Sequence, residues 1–104
     1  MSTEALKSEF IPKFLAVGEH KFYRHLLMYG VNRMKDMEKG LYKDAHPELV
    51  LLNCYDQFII LYRRESESIY LDLARVFRRA AHKTYRMMLK KKMTERNSKF
   101  LNLV

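Results

Sequence analysis

The stretch Leu49 to Tyr62, LVLLNCYDQFIILY, is the most apolar run in a chain of 104 residues, and the fold turns on whether it is a helix, a strand or a membrane span. At about 100° per residue, Val50, Leu51, Leu52, Cys54, Tyr55, Phe58, Ile59, Leu61 and Tyr62 cover roughly 200° of a helix, wider than the stripe of an ordinary surface helix. Asn53, Asp56, Gln57, Arg63 and Arg64 gather on the remaining side, where Leu49 and Ile60 intrude. Such a helix needs covering from at least two directions. A buried strand competes for any short apolar run, but the punctuation upstream is that of a helix start. Asp44 or His46 serves as N-cap, Pro47 suits a first helical position, and Glu48 complements the positive helix end. A bilayer span needs about 20 apolar residues, whereas this run is shorter and interrupted by Asn53, Asp56 and Gln57. The reading is a helix over 47–64 and no membrane span.

Upstream, Ser2 or Thr3 caps a first helix over 3–17, with Glu4 in its first turn. Pro12 kinks it, because the residue before a proline is pushed out of the helical region, and the segment ends at Gly18. Phe10, Ile11, Phe14, Leu15 and Val17 form an apolar cluster shaped like a lid on the core. A helical pattern resumes over 19–39, with Phe22, Leu26 and Tyr29 on one side and Leu27, Val31 and Met34 beside them. Gly30 costs about 1 kcal/mol in mid-helix relative to Ala and marks a close helix crossing, and Gly40 is the natural stop.

Downstream, RRESES (63–68) has neither Gly nor Pro, so one uninterrupted helix from 47 to about 93 stays in phase. That helix would put Ser66 and Glu67 on the apolar side and would be rare in length for a globular chain, pointing to coiled-coil dimerisation. A short break with Ser66 as a new cap is preferred. The last helix, 67–93, is amphipathic: Ile69, Leu73, Val76, Phe77, Ala80, Thr84, Met87 and Met88 form one stripe, and Ala80 with Ala81 lets a neighbour approach closely. The tail, 96–104, frays unless Phe100, Leu101, Leu103 and Val104 dock. The expected fold is all-α, a small bundle of about four helices in one domain over 1–95, the third helix central and the fourth basic.

A chain of this size removes roughly two thirds of its surface from water, enough for a real but thin core. With 48% apolar and 12% aromatic residues, three Gly and two Pro, it is neither disordered nor low-complexity. Seven Met suit an adaptable core or an adaptable binding groove, the core being the preferred reading. One cysteine excludes an internal disulfide, and Cys54, on the most apolar helix, reads as a packed residue in a reducing compartment. The opening MSTEALKSEF has no apolar region of a secretory signal, and Glu4 and Glu9 argue against a mitochondrial presequence. The expected location is intracellular, nuclear or cytoplasmic.

The net charge of +8 is unevenly spread. Residues 73–104 hold ten Lys or Arg against Glu95 alone, a net +9, while residues 1–72 hold ten basic against eleven acidic, a net −1. Arg75, Arg78, Arg79, Lys83, Arg86, Lys90, Lys91 and Lys92 are therefore candidates for polyanion binding, to a phosphate backbone, an acidic partner segment or an anionic membrane. A solvated helix face whose cations favour the helix C-terminus is the plainer reading. Phe77 points into the apolar stripe and Tyr85 lies at its edge, so stacking on bases is weakly supported. Arg78 and Arg79 followed by Lys90, Lys91 and Lys92 resemble a bipartite nuclear-import signal.

No chemistry of catalysis is legible: no nucleophile with a base, paired carboxylates, metal set or phosphate loop. His20 and His25 lie about 140° apart around a helix and cannot grip one metal from a single face. Neither a metal nor another cofactor is expected. Phe22-Tyr23-Arg24-His25-Leu26-Leu27 resembles the Leu-Tyr-Arg motif of small basic mitochondrial helical adaptors, and Leu61-Tyr62-Arg63 spells that triplet. Members of that group engage acyl carrier protein or assembly factors through it. Here the first copy has Phe for Leu, the second ends the central helix, and no residue role is taken from the likeness.

The functional expectation is a non-enzymatic protein–protein interaction module, a small adaptor or subunit of an intracellular complex. Its partner is another protein or a second copy, met through Phe10, Phe14, Tyr23, Tyr29, Leu51, Tyr55, Phe58 and Tyr62. The alternative is a nucleic-acid-binding module using the basic face of the last helix.

Overall fold

The computed structural model of the chain describes residues 2–40 and 46–102, with side chains through residue 94. Every regular element among these is a helix: α1 (Thr3–Glu38), α2 (Pro47–Glu65) and α3 (Ser68–Asn102). The all-α class stands, but the helices number three and not four, because the segments expected over 3–17 and 19–39 join in α1. The one departure from helical dihedrals within α1 is Gly18, at φ 84° and ψ 169°, a region open to essentially glycine alone. The bend there is sharp. A straight helix rises about 18 Å over the interval from Phe10 to Phe22, yet their ring centroids are 6.2 Å apart. Pro12 does not produce the expected kink and keeps helical dihedrals. Pro12 and Ser8 are both exposed, so water can serve the carbonyl that the missing N–H leaves free.

The helix ends follow from local chemistry. Ser2 Oγ accepts from the Ala5 N–H at 3.2 Å, and Gly40, at φ 77°, closes α1 by donating its N–H to the Met37 carbonyl at 3.0 Å. His46 occupies the N-cap position of α2 without a side-chain cap bond, and Pro47 stands at the first helical position. The other candidate cap, Asp44, lies outside the described residues. Ser66 ends α2 in the left-handed conformation, φ 58°, its N–H donating to the Tyr62 carbonyl at 2.8 Å. Ser66 therefore closes α2 and does not open α3. The chain reverses across Ser66 and Glu67: Phe58 and Phe77 stack at 5.7 Å, where one continuous helix would hold them about 28 Å apart. The single helix over 47–93 is excluded. The final helix passes 93 and reaches Asn102; docking of Phe100, Leu101, Leu103 and Val104 concerns side chains outside those described.

The centre of the packing is α3, not the helix over 47–64, since α3 meets both α1 and α2 most extensively. Its buried stripe is Tyr70, Leu73, Ala74, Val76, Phe77, Ala80, Ala81 and Thr84, wider than expected because two helices lie against it. Phe10, Phe22, Phe58 and Phe77 join all three helices in one aromatic cluster, with Phe10–Phe77 at 5.0 Å and Phe22–Phe77 at 5.8 Å. Burying each such side chain contributes about 1.5–3 kcal/mol. The crossing of α1 on α3 is close enough that a Cβ on Gly30 would lie 2.6 Å from Thr84 Oγ1. At the opposite end Lys7 ties α1 to the turn between α2 and α3, at 2.9 Å from Glu65 and 5.5 Å from the Tyr70 ring centre.

Candidate partner groove and basic face

The bend at Gly18 brings the first segment of α1 against the start of its second. An open groove of about 700 Å³ runs between these two segments and α2. Its floor is the core itself, with Phe10, Phe22, Leu26, Leu51, Cys54 and Phe77, and its walls are Ala16 and Val17 on one side and Tyr29 and Val50 on the other. Glu9, Lys13, His25 and Arg33 stand in the lining as the charged and polar groups. His25, Tyr29 and Arg33 fall at i, i+4 and i+8 on one helix row, and Arg33 lies 5.6 Å from the Tyr29 ring centre.

Cys54 is buried and free. Burial pushes its thiol up to about 11, and the negative charge of Glu9 adds to the shift. At neutral pH it is therefore a small packed group and not a nucleophile.

Of the eight apolar candidates, the groove gathers Phe10, Tyr29 and Leu51. Phe58 and Leu51 are fully buried in the core, so only the edge of Leu51 is offered to a partner. Phe14 packs edge-on against Phe22 at 5.5 Å. Tyr23 and Tyr55 carry cations from α3, with Arg79 4.6 Å and Arg78 5.9 Å from their ring centres. Tyr62 is half-buried near the end of α2. The groove residues that sequence reasoning missed include Glu9, Lys13, Ala16, Val17, His25 and Arg33. Their periodicity was readable, but their convergence depends on the bend at Gly18. Of the apolar arc of α2 only Val50 is exposed, and Leu49 and Ile60, which intrude on its polar side, are exposed as well. Asn53 and Asp56 face solvent, and Gln57 is half-buried.

All eight polyanion candidates are exposed on α3. Arg79 lies 3.6 Å from Glu19 and Lys91 pairs with Glu38, while Arg75, Arg78, Lys83, Arg86, Lys90 and Lys92 make no ion pair among the described residues. Arg78, Arg79 and Lys90–Lys92 all sit within one continuous helix, which is not the extended form in which import signals are read. His46 Nδ1 lies 3.4 Å from the largely buried Glu48 carboxylate. No cluster of three or more His, Cys, Asp or Glu is placed to hold a metal among the described residues, and no helix among them is long and apolar enough to cross a membrane. The chain matches no family model, and no curated protein or solved structure matches it significantly.

Proposed function

We propose that the protein is a non-enzymatic partner-binding module, an adaptor or small subunit of a complex, whose groove seats apolar side chains of an amphipathic segment of another protein. The observation that carries this reading is the open groove itself: a concavity of about 700 Å³ whose floor is made of core residues. An apolar concavity of this kind gains by covering its floor from water. The lining sets the chemistry of the occupant. Lys13 and Arg33 stand there against Glu9, which suits an apolar ridge flanked by acidic residues. A second copy fits less well, because the last turn of α2 carries Arg63 and Arg64 and α3 is basic.

The test is photo-crosslinking from a groove position. A photoreactive residue replacing Lys13 or Val50 should give a discrete protein adduct in cells of the natural source, and one replacing Asp72, exposed on α3, should not. Adducts that are the same from all three positions, or a small molecule copurifying in the groove in place of a protein, would overturn the reading. Nucleic-acid binding by α3 remains the second reading; its support is the exposure of the basic face, and a stacking surface of one tyrosine, Tyr85, is thin.

A further inference from the structure

The second half of α3 carries a feature that neither the groove nor the cation count explains. Tyr85, Leu89 and Met93 are 51%, 41% and 63% exposed. They stand at i, i+4 and i+8, one row along the outer face. Cations lie at the neighbouring positions three residues away: Arg86 and Lys90 on one flank of Leu89 and Met93, and Lys92 on the other flank of Leu89. All three are exposed and make no ion pair among the described residues. A solvated cationic face has no use for a row of large apolar side chains at its centre, because exposing them gains nothing in water.

From this we infer that the outer face of α3 around Leu89 docks on an anionic lipid surface, with Tyr85, Leu89 and Met93 entering the interface and Arg86, Lys90 and Lys92 meeting headgroup phosphates. Two features favour lipid over a macromolecular polyanion. The row lies on the outward side of a single helix and so is convex, the shape that enters a headgroup layer; a partner helix asks for a groove. Phosphate backbones reward the cations but offer Leu89 and Met93 little apolar surface to bury against. Long cationic side chains beside an apolar row also lie along it while keeping their charges at the phosphate level. This surface is separate from the groove and independent of its occupant.

The chain has no Trp, so Tyr85→Trp supplies a single fluorescent reporter in the row. Its emission should shift to the blue on phosphatidylcholine vesicles containing about one third phosphatidylglycerol and stay unchanged on pure phosphatidylcholine. Partitioning should fall about tenfold for Leu89→Gln with Met93→Gln and about fivefold for each of Arg86→Gln and Lys90→Gln. These positions are exposed, so an unchanged thermal melt of each variant separates lost docking from lost folding. A short duplex DNA and a polyglutamate peptide are the comparison polyanions. No shift on anionic vesicles overturns the proposal. So does tighter binding to either polyanion that is indifferent to Leu89→Gln with Met93→Gln, since the face would then act by charge alone.

Discussion

From Leu73 to Thr84, α3 lies between two helices, and Leu73, Ala74, Val76, Phe77, Ala80, Ala81 and Thr84 are buried. From Tyr85 to Met93 the same helix, still amphipathic in sequence, has no buried residue. The difference comes from length. With 35 residues α3 outruns α2, which has 19 residues and starts its antiparallel course at the Ser66 reversal. Beyond α2, among the described residues, only α1 still flanks the helix, as far as the Lys91–Glu38 pair, so the stripe residues Met87 and Met88 are half-buried there and no longer core. The 58 Å long dimension of the molecule matches the length of a helix such as α3 at about 1.5 Å per residue.

The contrast is broken or sharpened by substitutions and by one titration. Phe77→Ala, in the covered half, should lower unfolding free energy by about 3–5 kcal/mol in denaturant melts. Gly30→Ala should cost about 1–3 kcal/mol, because the new methyl meets Thr84 at the helix crossing. Pairing it with Thr84→Ala should recover part of that loss; no recovery would mean that the backbones, not the side chains, set the spacing. Ser66→Gly should stabilise by about 0.5–1 kcal/mol by relieving a left-handed serine. Leu89→Ala, in the uncovered half, should stay within about 0.5 kcal/mol of the parent, and a loss comparable to that of Phe77→Ala would refute the division of α3. The titration concerns Cys54. Its folded value, about 11, lies above the ordinary 9.0, so the folded state holds the thiol proton more tightly. Its contribution is complete below pH 9 and is lost as pH rises toward 11, a decline that Cys54→Ala should remove.

Much of this fold is legible residue by residue. Pro47 and the apolar run mark α2, Gly30 marks a crossing that Thr84 makes tight, and the polar pair Ser66 and Glu67 marks the reversal into α3. The misreadings have a common cause. Periodicity says which face of a helix is apolar but not which neighbour it meets. Pro12 reads as the breaking point of the first helix because the residue before a proline is disfavoured in the helical region, and a proline also leaves one carbonyl without its helical partner. An exposed position absorbs that loss, however, and the true bend falls at Gly18, where only the backbone angle, φ 84°, reveals how far the chain turns. The groove inherits this. Lys13 and Val17 face His25 and Tyr29 across it, a meeting of residues on both sides of Gly18 that no local pattern encodes. Leu51 and Phe58 suit a partner by their apolarity, yet nearly all of their surface is consumed by the chain's own core. The cationic face, by contrast, was plain in the sequence, since exposure of Lys and Arg needs no neighbour to define it.

The reversal at Ser66 and Glu67 also orders the events of folding. With two residues between them, α2 and α3 can find each other by a short search, since closing so small a loop is entropically cheap and fast. The first helix has no such advantage. Its anchors, Leu6 and Phe22, are buried in one core with residues far along the chain, so during synthesis it leaves the ribosome before them and keeps its apolar face bare until the covered half of α3 has followed. An apolar face left bare through that interval is open to aggregation.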